Sequence, residues 1–208
     1  MAEGHFITFE GPDGSGKSTQ VELTANYLRG RGLEVVCTRE PGGTPESERI
    51  RQLVLDKEFD IHRRTETLLY LAARAEHVEK VIKPALHAGK IVICDRFTDS
   101  TMVYQGFVQG MAASKVAALS TFAADGLIPA LTILLDADPE DLLERRVQRG
   151  VTDKFEAAGL DFQKKVRRGF ELLANTDPLR IKKIDALQTR AAIQEQIQKL
   201  LWEAGIAE

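Results

Sequence analysis

The residues with the clearest capacity for chemistry lie near the N-terminus, directly after a short apolar run. Residues 11–18 match the phosphate-binding loop pattern in full, in the strand–loop–helix context that this pattern requires. Glycines let the backbone curl so that N–H groups face phosphate oxygens, while Lys17 adds a positive charge and Ser18 offers a hydroxyl to magnesium. A chance glycine-rich turn is the weaker alternative. The predicted phosphate site comprises Gly11, Pro12, Asp13, Gly14, Ser15, Gly16, Lys17, Ser18 and Thr19.

A carboxylate and a guanidinium stand at the end of a later apolar run, 91–95. Asp95 and Arg96 should lie at the sheet edge that receives the bound phosphates. Asp95 can hold the water shell of magnesium, and Arg96 can grip a phosphate in a bidentate fork that lysine cannot reproduce. That phosphate is either the acceptor's own or the group in transfer. A structural ion pair is the alternative role for Arg96.

Polar side chains with helical spacing follow this pair. Ser100, Thr101, Tyr104 and Gln105 fall at i, i+1, i+4 and i+5, so on a helix they share one face. A polar face in this place can line a substrate pocket. We therefore predict that these four residues contact the substrate.

An aromatic residue and an arginine are four positions apart in a long helical segment that begins near Thr65. Tyr70 and Arg74 consequently lie on the same side of the helix. An aromatic platform beside a hydrogen-bond donor suits a flat nucleobase. From spacing alone, such a pair is more often a core tyrosine and a surface arginine.

Two further segments carry cations. Arg39 stands on the loop 38–44, which proline and glycines shape, and it is placed for a second anion; a plain turn is the alternative. Arg145, Arg146, Arg149 and Lys154 fall in the segment at about 145–161, where apolar periodicity is weak. We expect a mobile lid that brings positive charge to the phosphates, and a solvated helix face is the alternative.

The elements that must position these residues alternate along the chain. Short apolar runs separate longer segments of helical periodicity, which predicts an α/β fold with a central, mostly parallel five-stranded sheet and helices on both faces. Residues 1–208 are expected to form a single domain, since no repeat or linker interrupts them. The predicted strands are 6–9, 34–38, 91–95, 131–136 and 180–185.

Composition narrows the function classes. The chain is 43% hydrophobic and 28% charged with a formal net charge of -3, which disfavours a disordered chain and a basic nucleic-acid scaffold. Cys37 and Cys94 each end an apolar, β-branched run and are predicted to be buried, reduced thiols. No run of about 18 apolar residues and no signal sequence occurs, so we expect a cytoplasmic protein without membrane partners.

Together these motifs resemble one family. The chain resembles bacterial thymidylate kinases over nearly its whole length, with the motifs in the same order. The strings that carry the resemblance are FEGPDGSGKST, TREPGGT, LLYLAAR, DRFTDSTMVYQG and DGLIPALTILLD, followed by the arginine-rich segment. The resemblance implies a P-loop kinase fold and transfer of the γ-phosphoryl group of ATP to dTMP, giving dTDP and ADP in dTTP biosynthesis. It also implies magnesium as cofactor and a homodimer, with ATP and dTMP as small-molecule partners and no nucleic acid.

The resemblance also implies residue roles. Asp13 should contact the acceptor sugar, Arg39 and Arg96 the acceptor phosphate, Tyr70 the thymine face and Arg74 its O4. Thr101 and Tyr104 would complete the pocket, while Ser18 and Asp95 would hold magnesium. Because the phosphate loop carries Gly14 where some relatives carry a basic residue, the cation is expected in the lid. The implied catalytic residues are Lys17, Asp95, Arg96 and Arg149, with Lys154 the second lid candidate.

Some positions depart from the family pattern, and other functions remain open. Ala130 stands where aspartate is frequent, Tyr70 where phenylalanine is common, and Thr101 where asparagine or serine is frequent. A kinase for another pyrimidine nucleotide or nucleoside would keep the loop but change the base pocket. A nucleotide-gated switch usually needs an Asn-Lys-x-Asp string, which this sequence lacks. An inactive scaffold would bind nucleotide without turnover.

Overall fold

A parallel five-stranded sheet forms the centre of the molecule. The computed structural model describes residues 4–147 and 159–207. Its strand order is β2-β3-β1-β4-β5, and all four neighbouring pairs run parallel, which confirms the predicted fold class. The strands differ by at most one residue at either end from the predicted runs. They are β1 (Phe6–Glu10), β2 (Val35–Arg39), β3 (Ile91–Asp95), β4 (Leu131–Asp136) and β5 (Ile181–Asp185).

Helices cover both faces of this sheet. The α-helices are α1 (Lys17–Gly30), α2 (Pro45–Leu55), α3 (Arg63–His77), α4 (Lys83–His87), α5 (Thr98–Thr101), α6 (Ala113–Ala123), α7 (Pro139–Val147), α8 (Leu160–Thr176) and α9 (Arg190–Glu203). Two π-helices, Val78–Ile82 and Met102–Val108, continue α3 and α5. Helix ends follow sequence signals: Thr44 Oγ1 caps α2 by accepting from Ser47 N at 3.0 Å, and Gly89 turns the chain after α4 with a φ of 73°.

Apolar strands are buried because helices pack on each side of them. Ile7 and Ile133 face a cluster that contains Leu28 of α1 and Ile197 of α9. Phe6, Val92 and Cys94 face a second cluster that contains Val78 and Ile82 of the first π-helix. Burial on both faces explains why the strands are near-continuous apolar runs instead of alternating ones. The C-terminal ends of β1, β3 and β4 consequently meet at one edge.

One prediction about the thiols was wrong. Cys94 is buried in the central strand β3, and burial raises the pKa of its thiol well above the usual value. Cys37 is exposed instead, because β2 is the edge strand of the sheet and is only partly covered. Apolar, β-branched residues around a cysteine indicate a strand, but they do not reveal whether that strand is central or at the edge.

The C-terminal helix α9 packs on the sheet through apolar residues at helical spacing. Ile193, Ile197 and Leu201 of α9 are buried, whereas Ala204 is exposed because it lies at the C-cap of the helix. Within 4–147 and 159–207, no helix is long and apolar enough to span a membrane.

Candidate active site

The phosphate-binding loop connects β1 to α1. Gly11, Gly14 and Gly16 have positive φ values of 134°, 83° and 93°. A Cβ on Gly11 would lie 2.3 Å from the carbonyl oxygen of Leu135, so the loop passes against the backbone of β4 at van der Waals distance. Only glycine combines this conformation with this approach. The sequence pattern is thus explained by the path of the backbone.

The loop lysine is folded over its own loop. Lys17 is 6% exposed, and its Nζ donates to the carbonyl oxygens of Gly11 at 3.1 Å and Pro12 at 2.9 Å. Burial, and after it the charge of Arg96, lower the pKa of Lys17 to about 8. A phosphate oxygen at this position would replace the carbonyls with a negative charge and favour the ammonium form.

A hydroxyl and a carboxylate meet at the adjoining strand ends. Ser18 Oγ donates to Asp95 Oδ2 at 2.8 Å, because β1 and β3 are neighbours and the loop after β1 reaches the end of β3. Both groups are hard oxygen donors of the kind magnesium prefers. Across the described parts of the chain, no group of three or more acidic, histidine or cysteine residues forms a metal cage. Two protein oxygens fit magnesium, which takes its other ligands from water and phosphates.

Arg96 is held in place from three sides. Its backbone adopts a positive φ of 73°, its Nη2 pairs with the carboxylate of Asp13, and its Nη1 donates to Ser100 Oγ at 3.1 Å. Its guanidinium lies 5.4 Å from the centre of the Tyr104 ring. Arg96 therefore does form an ion pair, as the alternative reading allowed, but it also lines two cavities.

Glu10 was not identified in the sequence, yet it organises the turn around Arg96. It is fully buried and accepts hydrogen bonds from Phe97 N at 2.7 Å, Ser100 N at 3.3 Å and Ser100 Oγ at 2.6 Å. Burial, and after it the charge of Asp99, raise the pKa of Glu10 to about 7. An acidic residue that ends an apolar strand just before the phosphate loop is the signal that could have revealed it.

A cavity of about 340 Å³ lies beside the loop at the same sheet edge. Tyr70 and Arg74 both line it, as their spacing suggested. Ser100, Thr101, Tyr104 and Gln105 line it too, although Met102–Val108 is a π-helix and not an α-helix. The wider turn of a π-helix keeps residues four and five apart on one side, so the predicted shared face is preserved. The other lining residues are Asp13, Glu40, Pro41, Arg51, Leu55, Lys57, Arg96 and Phe97.

Arg74, which lines this cavity, has one donor without a partner. It is 3% exposed; its Nε donates to Glu40 Oε2 at 2.7 Å and its Nη2 donates to Thr101 Oγ1 at 3.0 Å. Its Nη1 is buried and has no hydrogen-bond partner among the described residues. A buried donor without a partner favours a ligand that carries an acceptor.

A second cavity, of about 300 Å³, is formed by the phosphate loop. Lys17, Ser18, Thr19 and Asp95 line it. Arg39 also lies here and not in the first cavity; its Nη2 pairs with Glu48 Oε2 at 2.8 Å while half of its side chain is exposed.

The two cavities are neighbours that share part of their lining. Asp13, Glu40, Arg51 and Arg96 line both. Arg51 of α2, whose Nη1 donates to the carbonyl oxygen of Pro41 at 3.0 Å, was not singled out in the sequence. No signal distinguished it, because a lone arginine on an amphipathic helix usually belongs to a solvated face.

The predicted lid cations lie outside what the structure describes. Arg149 and Lys154 fall between residues 147 and 159, and the side chains of Arg145 and Arg146 are also outside the described part. Helix α7 leads into this segment and α8 follows it. The lid therefore stays a prediction.

A phosphate-loop cavity that shares lining residues with a cavity lined by a buried arginine, Arg74, is the arrangement expected of a P-loop kinase acting on a small acceptor. Comparison with known proteins narrows this class. The sequence model of the family described as thymidylate kinase matches residues 9–197, and the chain belongs to the thymidylate kinase family. This confirms the resemblance inferred from the motifs.

Individual relatives agree with the family match. A thymidylate kinase of Pseudomonas fluorescens (strain Pf0-1) is 47% identical over 95% of this chain and 95% of its own length. One from Deinococcus radiodurans is 42% identical over 99% of this chain and all of its own. A crystal structure of thymidylate kinase from Ehrlichia chaffeensis superposes with a TM-score of 0.76 at 38% identity, covering 96% of this chain and 99% of that one.

Proposed function

We propose that the protein transfers the γ-phosphoryl group of ATP to thymidine monophosphate, giving thymidine diphosphate and ADP. The observation that carries this proposal is the lining that the two cavities share. Asp13 and Arg96 line both the phosphate-loop cavity and the cavity that contains Tyr70 and Arg74. A donor phosphate in one cavity and an acceptor phosphate from the other would therefore meet beside Arg96.

On the ATP side, the loop amides and Lys17 would bind the phosphates. Ser18 and Asp95 would hold magnesium, and the bonded pair at 2.8 Å already places both oxygens together. Magnesium, when bound, neutralises charge on the β- and γ-phosphates. The proposed ATP-binding segment comprises Gly11, Pro12, Asp13, Gly14, Ser15, Gly16, Lys17, Ser18 and Thr19.

On the acceptor side, the first cavity would take the nucleoside. Tyr70 would stack on the thymine ring and Arg74 Nη1 would donate to its O4, while Asp13 would contact the sugar. Arg96, which lines both cavities, and Arg39, which lines the second, would bind the acceptor phosphate. The remaining walls would be Ser100, Thr101, Tyr104 and Gln105.

Transfer in this site needs alignment more than proton removal. An oxygen of the acceptor phosphate attacks the γ-phosphorus, and the bond from phosphorus to the bridging oxygen breaks, leaving the electron pair on ADP. The acceptor phosphate is already a competent nucleophile, so no general base is required. Lys17, Arg96 and a lid cation, with Arg149 the leading candidate, would neutralise the charge in transfer. Closure of the lid at about 145–161 would exclude water, so ATP hydrolysis without acceptor should be slow.

Base selection follows from the free donor. Thymine presents a carbonyl oxygen where cytosine presents an amino group, so Arg74 is satisfied by one and left unpaired by the other. The uracil analogue loses only a methyl contact, worth about 1 kcal/mol, so some activity on deoxyuridine monophosphate is expected.

The wider context of the protein is also part of the proposal. We infer one domain over residues 1–208, a cytoplasmic location and a homodimer without nucleic-acid or membrane partners. Exposed apolar residues on α3 and α6, among them Leu68 and Phe122 at 51% and 85% exposure, support contact with a second copy. The net charge of -3 agrees with small-molecule substrates and not with nucleic acid.

The proposal is tested by following thymidine diphosphate and ADP formation from ATP, magnesium and thymidine monophosphate. The wild-type protein should form both products in equal amounts, and Lys17→Met should slow turnover at least about 100-fold because it removes a phosphate-binding charge. A surface variant, Lys199→Met, serves as the matched control. If ATP binds but no diphosphate forms, the protein is an inactive scaffold and the proposal fails.

A further inference from the structure

A buried histidine that the proposed mechanism does not use contacts Glu40, which lines the first cavity. His77, the last residue of α3, is fully buried. Its Nδ1 lies 3.1 Å from Glu40 Oε1, and its Nε2 lies 2.6 Å from Thr38 Oγ1. A carboxylate oxygen only accepts, so the ring must carry a proton on Nδ1 to make the first contact. Thr38 can serve Nε2 as either donor or acceptor.

Glu40 connects this histidine to the arginine that lines the cavity. Each of its two carboxylate oxygens has one partner: Oε1 faces His77, and Oε2 accepts from Arg74 Nε at 2.7 Å. The carboxylate is buried, so its orientation depends on these two partners and not on water. Arg74 is then fixed by Glu40 on one side and Thr101 on the other, which leaves Nη1 for the ligand.

The imidazole is also packed against the loop that carries Glu40. A Cβ on Gly43 would lie 2.4 Å from His77 Cδ2 and 2.5 Å from its Nε2, so the ring touches the glycine backbone. Gly43 has a positive φ of 88°. The ring is therefore held between Thr38, Glu40 and Gly43. All three belong to residues 38–44, which contain the end of β2 and the loop after it.

We propose that His77 is a positioning residue for base selection: through Glu40 it holds the Arg74 guanidinium so that Nη1 meets the O4 of thymine. This inference rests on the proposed function. Without a donor at Nδ1, Glu40 Oε1 loses its partner and the carboxylate is free to turn toward a bidentate contact with the guanidinium. That contact competes with Thr101 and re-aims Nη1. Thymine then loses its donor, and the penalty against cytosine is reduced.

Two matched substitutions separate the two ring nitrogens. In His77→Asn, the side-chain amide nitrogen lies near the position of Nδ1 and can donate to Glu40. In His77→Gln, the amide reaches toward Thr38, as Nε2 does, but offers Glu40 nothing. Ser47→Ala is the structural control, because Ser47 Oγ donates to the carbonyl oxygen of Ala73 at 2.8 Å and joins α2 to α3, whereas the Glu40 and Arg74 side chains bond to other groups.

The readout is the ratio of kcat/KM for thymidine monophosphate to that for deoxycytidine monophosphate. We expect His77→Gln to lower this ratio at least tenfold, mainly through a higher KM for thymidine monophosphate, since Arg74 contacts the base and not the phosphates. His77→Asn and Ser47→Ala should keep the ratio within about threefold of wild type. Equal ratios in wild type and folded His77→Gln, or equal losses in all three variants, would overturn the inference.

A measurement on the wild-type protein tests the same inference without a substitution. Nitrogen-15 spectra of the histidine side chains report which ring nitrogen carries the proton. We expect His77 with a proton on Nδ1. A ring protonated only on Nε2 cannot donate to Glu40 and would overturn the inference. If the wild type shows no turnover of thymidine monophosphate while His77 carries its Nδ1 proton, the proposed function fails and the assignment of base selection fails with it.

Discussion

At the scale of single residues, the site depends on buried charges that are each matched by defined partners. Glu10 accepts three hydrogen bonds from the turn after Arg96, and Ser100 Oγ both donates to Glu10 and accepts from Arg96 Nη1. Glu10 thus orients Ser100 toward Arg96, the arginine that we propose binds phosphate. A buried carboxylate is costly, and this cost appears in its raised pKa.

The raised pKa of Glu10 predicts a pH dependence of stability. Between its ordinary value of 4.5 and about 7, the folded protein binds more protons at Glu10 than the unfolded chain does. The contribution of Glu10 to the free energy of unfolding is therefore greatest below pH 4.5 and is lost as the pH rises to 7, by an amount on the order of 3 kcal/mol. Glu10→Gln should lack this component in urea unfolding measured from pH 4.5 to 7.5.

Comparison of the two proteins isolates Glu10 from other titrating groups. The difference in unfolding free energy, wild type minus Glu10→Gln, should become less favourable to wild type as the pH rises. A difference that stays constant over this range, or grows with pH, would show that folding does not raise the pKa of Glu10.

The sequence predicted site residues that belong to a motif or to a regular spacing. It did not reveal residues whose contacts form only when separate elements pack together. Lys17, Ser18 and Asp95 belong to recognisable strings, and the structure brings them together. Glu40 and His77 are separated by 37 positions, and their contact arises only when the loop after β2 meets the end of α3. No periodicity within one element reports a contact between two elements.

At the scale of elements, the alternation of apolar runs and helical segments predicted all five strands. Their order could not be read from periodicity, so the edge position of β2 and the exposure of Cys37 were missed. The π-helices were missed as well, because residues at i, i+4 and i+5 suit an α-helix and a π-helix alike. Thr101 and Tyr104 nevertheless line the same cavity, as predicted.

The phosphate loop gives a prediction about its first glycine. Gly11→Ala would place a methyl group 2.3 Å from the Leu135 carbonyl oxygen, in addition to the strain of a φ of 134°. Gly32→Ala is the matched control, since Gly32 has a positive φ of 83° but no atom within 4 Å of the added Cβ. Gly32→Ala should cost about 1 kcal/mol, whereas Gly11→Ala should cost several times more and weaken ATP binding at least about tenfold.

Thermal unfolding and fluorescence titration with an ATP analogue measure these two effects. Similar losses of stability in the two variants, with ATP affinity unchanged in Gly11→Ala, would mean that the loop can move away from β4. The close approach at Gly11 would then have no role in shaping the phosphate site.

At the scale of the whole molecule, an ion pair joins the active-site region to the last strand. Arg180, just before β5, donates from Nη1 and Nη2 to both oxygens of Asp99 at 2.7 and 3.0 Å, and its Nη1 also donates to Thr132 Oγ1. Asp99 follows the Arg96 turn by three residues and is 5% exposed. Arg180 thereby connects the C-terminal part of the chain to the turn after Arg96, whose backbone N–H groups bind Glu10.

Breaking this pair should destabilise the protein as a unit. Arg180→Met leaves the Asp99 carboxylate buried without its bidentate partner, which costs about 3–5 kcal/mol in comparable cases. Lys199 is 77% exposed and pairs with Glu203. Lys199→Met should therefore change the free energy of unfolding by less than about 1 kcal/mol. Urea unfolding measures both variants. If Arg180→Met lowers the free energy of unfolding by less than about 1 kcal/mol, the ion pair with Asp99 does not stabilise the fold as we expect.

Acceptor choice is measured as ADP formation from ATP and magnesium with each deoxynucleoside and ribonucleoside monophosphate in turn, in wild type and Arg74→Ala. We predict that thymidine monophosphate is the preferred acceptor. Arg74→Ala should reduce its advantage over deoxycytidine monophosphate at least about tenfold, because this substitution removes the buried donor that we propose binds O4. Preference for another monophosphate, or an advantage that Arg74→Ala leaves intact, would contradict the account.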